Sequence, residues 1–178
     1  MTLNQKQTPT KETSSTRILG IDPGTACTGY GVIDYTHAMT RTLDFGTIRS
    51  AAKDPLPERY LKIHNGVEAL IEQFSPDVIV VETQFVQKNV QSALKVGMAR
   101  GVVIVTAAKH NIAIEEVAPT RVKQAIVGTG AASKQQVQMM VQRLLNLASP
   151  PSPLDASDAL AIAITYAHSF RSSKCLNI

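Results

Sequence analysis

The chain predicts an α/β three-layer domain whose sheet mixes antiparallel and parallel strands. Three observations point there. Near the start, runs rich in Ile, Val, Thr, Tyr and Phe follow one another at 18–22, 28–35 and 41–50, separated only by short turns, the signature of an antiparallel meander. Farther on, "DVIVVE", Asp77–Glu82, sets four aliphatics in a row, as in a strand buried on both faces within the parallel part of a sheet. Segments of helical period lie between and after these strands.

Taken in order, Pro23-Gly24 and the stretch His37–Thr40 turn the first three strands into one another. In Pro57–Phe74, Leu61, Val67, Leu70, Ile71 and Phe74 recur at near-helical spacing, and Ser75-Pro76 stops the helix. A polar loop leads from the Asp77–Glu82 strand into a helix over about Val90–His110, and "IAIEEV", Ile112–Val117, reads as a further strand. Helical patterns follow at Thr120–Val127 and Ser133–Leu147. The breaker "SPPSPLD", Ser149–Asp155, precedes a last helix over about Pro153–Phe170, with Ser152 as N-cap, Pro153 as the first helical residue and Asp155 in the first turn. Residues 1–16 are expected to form a flexible N-terminal tail, 17–170 the single domain and 171–178 a C-terminal tail.

Composition narrows the function. At 178 residues the chain suits one domain with a sizeable core. With 44% hydrophobic and 18% charged residues it reads as a globular protein, and no apolar run reaches membrane-spanning length, so no membrane partner is expected. The polar start lacks the apolar stretch of a secretory signal, which predicts a cytoplasmic protein. The two cysteines, Cys27 and Cys175, have neither metal nor disulfide spacing and read as incidental thiols. The net charge of +4 leans toward a polyanionic partner without proving one.

The chemistry rests on four carboxylates. Asp22 and Glu82 each end an apolar strand, where open α/β sheets place their ligand crevice; alone, the first is also an ordinary turn former and the second a polar strand end. Asp155 alone reads as helix capping. Asp158, three residues on and on the same face, lies beyond the first turn of a helix that is apolar nearly all round: Ala156, Ala159, Leu160, Ala161, Ile162, Ala163, Ile164. Such a helix is buried, and a carboxylate on it costs several kcal/mol (about 3–5) unless a cation or donors meet it. No Lys or Arg precedes Arg171 in that helix, so the positive charge has to come from elsewhere. If the four acids converge, a divalent ion relieves their repulsion, and all-oxygen ligands favour a hard one, Mg²⁺ or Mn²⁺. Two such ions about 4 Å apart perform phosphodiester hydrolysis.

The segments "GIDPGTACTGYGVI", "VVETQFVQKNVQSALKVGMARGV", "VKQAIVGTGAASKQQVQ" and "DASDALAIAIT" resemble, in the same order, those of the RuvC-type Holliday-junction resolvases of the RNase H-like superfamily. The likeness spans about Arg17 to His168. It implies an RNase H-like three-layer domain with a mixed five-stranded sheet flanked by helices, and a structure-selective endonuclease that resolves four-way DNA junctions in recombination and repair, leaving 5′-phosphate and 3′-hydroxyl ends. It implies that Asp22, Glu82, Asp155 and Asp158 are the catalytic metal ligands, holding two Mg²⁺ with Mn²⁺ as a substitute. A homodimer, whose two sites match the symmetry of the junction, and a RuvA–RuvB branch-migration complex are the implied partners.

Small residues in the helix from Val90, among them Ala93, Gly97 and Gly101, permit close packing, either in such a dimer or as ordinary core against the sheet. Phe85, in the polar loop after Glu82, is a candidate for stacking on an unpaired base, the alternative being a local apolar cluster under the loop. Lys88, Arg121, Lys123 and Lys134 are candidate phosphate contacts, although any one of them taken singly reads first as a solvated surface charge; the resemblance singles out Lys123 and Lys134 as DNA contacts near the active site. Gly128 and Gly130 would let backbone approach, and Gly24 and Thr25 would offer backbone N–H groups. Three rival readings remain: an RNase H-like nuclease acting on RNA, a non-catalytic nucleic-acid-binding module that keeps the fold without the chemistry, and a phosphotransferase of the actin-like or sugar-kinase type, whose phosphate loop "GIDPGT" resembles.

Overall fold

The computed structural model describes residues 15–51, 53–83 and 90–175, with side chains through 169. Strands β1 (Thr16–Asp22), β2 (Cys27–Tyr35) and β3 (Thr40–Arg49) are followed by helix α1 (Leu56–Phe74), β4 (Val78–Glu82), α2 (Val90–Lys109), β5 (Ala113–Val117) and helices α3 (Pro119–Val127), α4 (Lys134–Leu144) and α5 (Leu154–Cys175). The sheet has five strands in the order β3-β2-β1-β4-β5. β1 pairs antiparallel with β2 and β2 with β3, whereas β1–β4 and β4–β5 are parallel. The mixed five-stranded α/β sheet read from the sequence is the one observed.

Two hydrophobic layers cover the two faces, and the period-2 alternation of β1 and β4 decides which residue enters which. Ile18, Val78 and Val80 join the layer under α3, α4 and α5, while Leu19, Ile21, Ile79 and Val81 join the layer under α1 and α2. All but Val78, at 3% exposed, are fully buried, and each side chain contributes about 1.5–3 kcal/mol by leaving water. Continued by one residue, the same alternation sends Asp22 and Glu82 to the α5 face.

Close approach of α5 to that face depends on missing side chains. A Cβ on Gly20 would lie 2.2 Å from the Ala159 carbonyl oxygen, and one on Gly29 would lie 1.9 Å from that of Asp155. Gly29 is the register partner of Asp22, so the contact that seats α5 also brings its first turn beside the end of β1.

Several boundaries differ from the sequence expectation. α5 starts at Leu154, and the Pro153 carbonyl accepts from the N–H groups of Ala156 and Ser157; Pro153, rather than Ser152, therefore occupies the cap position, because the residue whose carbonyl takes the first helical bond lies just outside the helix. At its other end α5 continues to Cys175 rather than closing near Phe170. α4 begins as expected after Ser133, whose side chain forms a reciprocal capping box with Gln136. α2 departs from the expectation about apolar runs. It is 20 residues long and contains an 18-residue window with a mean hydropathy of 1.2, long and apolar enough by length and composition to cross a bilayer, and only 22% of that window is buried.

Candidate active site

Asp22 and Glu82 stand at the carboxyl ends of adjacent parallel strands, one step beyond the paired residues Ile21 and Val81. With Asp158 they line one cavity of about 310 Å³, whose remaining wall is Pro119, Val122, Lys123, Lys134 and Val137 from α3 and α4. Three of the four acids predicted to converge do so. Asp155 sits at the margin, close enough for its charge to bear on Asp22, while its carboxylate hydrogen-bonds with the Cys27 thiol.

The electrostatics are those of charge crowded into a partly dry pocket. Burial, and then the charges of Glu82 and Asp158, push the Asp22 carboxyl from an ordinary 3.8 up to about 7, against the opposing pull of Lys134. Glu82 is likewise raised to about 7, by burial first and the Asp158 charge second, with Lys134 and Lys123 pulling the other way. The Cys27 thiol is pushed up by its own burial and by its bond to Asp155.

Asp158 has a cation of its own: Lys134 Nζ lies 2.6 Å from Oδ2. This is the positive charge that the helix sequence could not supply. Lys134 stands at the start of α4, 24 positions earlier in the chain, and its bond to Asp158 raises its own pKa. Among the described residues Asp22 and Glu82 form no such pair; they feel Lys134, and Glu82 also Lys123, as nearby charge.

Among the described residues, no three acidic, imidazole or thiol side chains form a finished metal cage. The donor set nevertheless suits a hard divalent cation. Three carboxylates line the cavity, among the described residues neither His nor Cys does, and two of the acids resist ionising because they are buried and crowded by like charge.

The remaining candidates divide. Lys123 lines the cavity with Lys134. Arg121 does not: its guanidinium donates to Ser169 Oγ at 3.0 Å, eleven residues beyond Asp158 along α5 and so about 16 Å away at 1.5 Å per residue. Phe85 and Lys88 lie outside the described residues. The Gly24 N–H, expected to be free for a phosphate, points instead at Thr28 Oγ1 at 3.3 Å, and that hydroxyl donates to the Gly24 carbonyl at 2.8 Å; the turn consumes it. Sequence reasoning missed the contact of Cys27 with Asp155, whose only signal was a position two residues before Gly29 on the strand beneath α5, and the apolar wall of Val122 and Val137.

Comparison with known proteins comes from three directions. Residues 18–166 match the family model described as crossover junction endodeoxyribonuclease RuvC. Curated relatives include the crossover junction endodeoxyribonucleases RuvC of Protochlamydia amoebophila, 58% identical over 84% of this chain and 89% of that protein, and of Syntrophomonas wolfei, 44% identical over 90% and 93%. Among solved structures, T. thermophilus RuvC in complex with Holliday junction substrate superposes with a TM-score of 0.80 at 34% identity, covering 88% of this chain and 96% of that one. The yeast mitochondrial Holliday junction resolvase, with a TM-score of 0.67 at 16% identity over 90% and 81%, shares the fold.

Proposed function

The chain belongs to the RuvC family of crossover junction endodeoxyribonucleases, and from that membership we propose that it resolves four-way DNA junctions by paired, symmetric nicks during recombination and repair. The observation that carries the reading is the cavity in which Asp22, Glu82 and Asp158 meet beside Lys123 and Lys134, with the first two carboxyls held up to about 7. Acids that resist ionising until a cation arrives, next to ammonium groups suited to a phosphate, make a metal-assisted phosphodiesterase.

In this reading Asp22, Glu82 and Asp158, with Asp155 from the margin, hold two Mg²⁺, for which Mn²⁺ substitutes. Two such ions held there would supply activation of the attacking water and stabilisation of the leaving 3′-oxygen. The chain does the rest. β1 and β4 fix two carboxylates on strand ends, α5 brings the third and fourth on a rigid helix, and the apolar side chains of Val122 and Val137 keep one wall of the pocket dry. Lys123 meets a phosphate of the scissile strand. Phe85 stacks on an unpaired base at the junction centre, and Lys88 and Arg121 extend the phosphate track away from the cut.

Two cuts require two sites, and the exposed side of α1 and α2 supports a homodimer. Leu61, Val90, Leu94, Met98 and Val105 are 57–68% exposed there. They flank an apolar groove of about 620 Å³ that is lined also by Tyr60, Gly101 and Val102. Surface of this kind is ordinarily covered by a partner. The family resemblance adds a RuvA–RuvB branch-migration complex and a cytoplasmic setting.

The test is to incubate the full chain with Mg²⁺ and, separately, a labelled four-way junction, a linear duplex, an RNA hybrid and ATP, and to repeat each with Asp22→Asn. The expected result is paired nicks on the junction alone, lost in the variant while junction binding persists. ATP hydrolysis, or cleavage confined to RNA, would replace this reading with one of its rivals.

A further inference from the structure

Lys134 sits where its helix does not want it. As the first residue of α4, immediately after the Ser133–Gln136 capping box, it sets a positive charge at the positive end of the helix dipole, where an acid is favoured and a lysine is not. The first turn of α4 carries no acidic residue to offset it. What holds the ammonium there is Asp158, 2.6 Å away. That contact is weak by nature, because the Lys134 side chain is 58% exposed against 21% for Asp158, and solvent screens such a pair. Lys134 also acts on Asp22 and Glu82, being the cation that most strongly opposes the rise of each carboxyl. One exposed ammonium thus serves as counter-charge to all three acids that line the cavity.

We propose that Lys134 is an exchangeable resident counter-ion: it neutralises Asp158 while the site holds no metal, yields that carboxylate to a divalent cation, and moves to a phosphate of the bound nucleic acid. Metal loading and substrate capture are then coupled through one side chain. A lysine suits this role better than an arginine, since a single ammonium on a flexible stem leaves one partner for another without breaking a bidentate fork. Its exposed side chain has room to turn, and Lys123, which lines the same cavity from α3, stays out of the exchange because among the described residues no carboxylate holds it within ion-pair distance. The inference rests on the proposed metal-binding reading of this cavity and adds to it a competition between the protein's own cation and the metal.

Two measurements on the full chain without DNA test it. In calorimetric titration with Mg²⁺, Lys134→Gln removes the competitor and binds about fivefold more tightly than the unsubstituted chain, while Lys134→Arg, which keeps the charge, binds no more tightly than the unsubstituted chain. Equal or weaker Mg²⁺ binding by a folded Lys134→Gln would overturn the exchange; circular dichroism establishes the folding, and the exposed first position of α4 tolerates glutamine. Independently, amine-selective acetylation followed by mass spectrometry should find Lys134 of the unsubstituted chain slow to react without divalent ions, faster by severalfold in Mg²⁺, and protected again when an intact four-way junction is added. Reactivity indifferent to Mg²⁺ would overturn the proposal just as firmly. Failure of both chains to bind Mg²⁺ at all would instead overturn the metal-binding reading beneath it.

Discussion

At the scale of single residues, the site is a standing conflict between carboxylates. An isolated Asp gives up its proton near 3.8, whereas Asp22 keeps it to about 7, and Glu82 rises to about 7 as well. Because the folded values lie above the unfolded ones, the unfolded chain releases these protons first. Metal-free stability therefore falls as pH rises from about 4 to about 7 and stays low above that. Melting followed by circular dichroism should show it, with a lower midpoint at pH 7.5 than at pH 5, and Mg²⁺ should narrow the gap. Asp22→Asn removes one of the conflicting charges. At pH 8 without metal it should raise stability by about 1–3 kcal/mol, or a few degrees in the melt, while abolishing cleavage; a destabilised variant would contradict the conflict. Asp22, Glu82 and Asp158 could be read from the sequence because each breaks an apolar pattern at a strand end or on a buried helix. Lys134 as the partner of Asp158 could not, nor Cys27 as that of Asp155, since both pairings arise where α4 and β2 cross α5 and leave no periodic trace.

At the scale of elements, everything at the site depends on how closely α5 lies on the sheet. Gly29→Ala places a methyl 1.9 Å from the Asp155 carbonyl oxygen, and Gly20→Ala places one 2.2 Å from that of Ala159. Backbone cannot yield as a side-chain tip does, so each variant should lose about 3 kcal/mol or more in urea unfolding. Gly29→Ala should in addition weaken Mg²⁺ binding, because it displaces the first turn of α5 beside Asp22; unchanged stability and affinity would show that α5 sits elsewhere. The strands and helices themselves were open to sequence reading. Alternation and aliphatic runs marked β1 to β4, and the apolar face of α5 marked it as buried. The start of α5 was misplaced by one residue because Ser-Pro imitates a cap followed by a first helical residue, and which residue's carbonyl accepts is a matter of backbone geometry.

At the scale of the whole molecule, net charge, the apolar α2 surface and the acidic cavity describe a protein that works on a symmetric polyanion. Leu94→Glu with Val105→Glu charges the exposed stripe and should yield monomers in sedimentation that cut junction strands singly rather than in pairs; a dimer that persists would move the interface elsewhere. Junction affinity should fall steeply with salt as counterions released on binding are paid back, with a log–log slope of about −0.9 for each phosphate contact. The apolar composition of α2 could be read, but not whether core or partner covers it, for that depends on the neighbours that the fold leaves on its outer side. The property beneath all of this is that Asp22 and Glu82 hold protons up to about pH 7 that a divalent cation displaces. Titrating the chain with Mg²⁺ at pH 7 in two buffers of different ionisation enthalpy counts those protons directly. With Asp22 and Glu82 each half-protonated at about 7, about one proton should leave per site as the metal enters, whereas heats that are identical in both buffers, meaning no proton released, would contradict a metal-binding cavity.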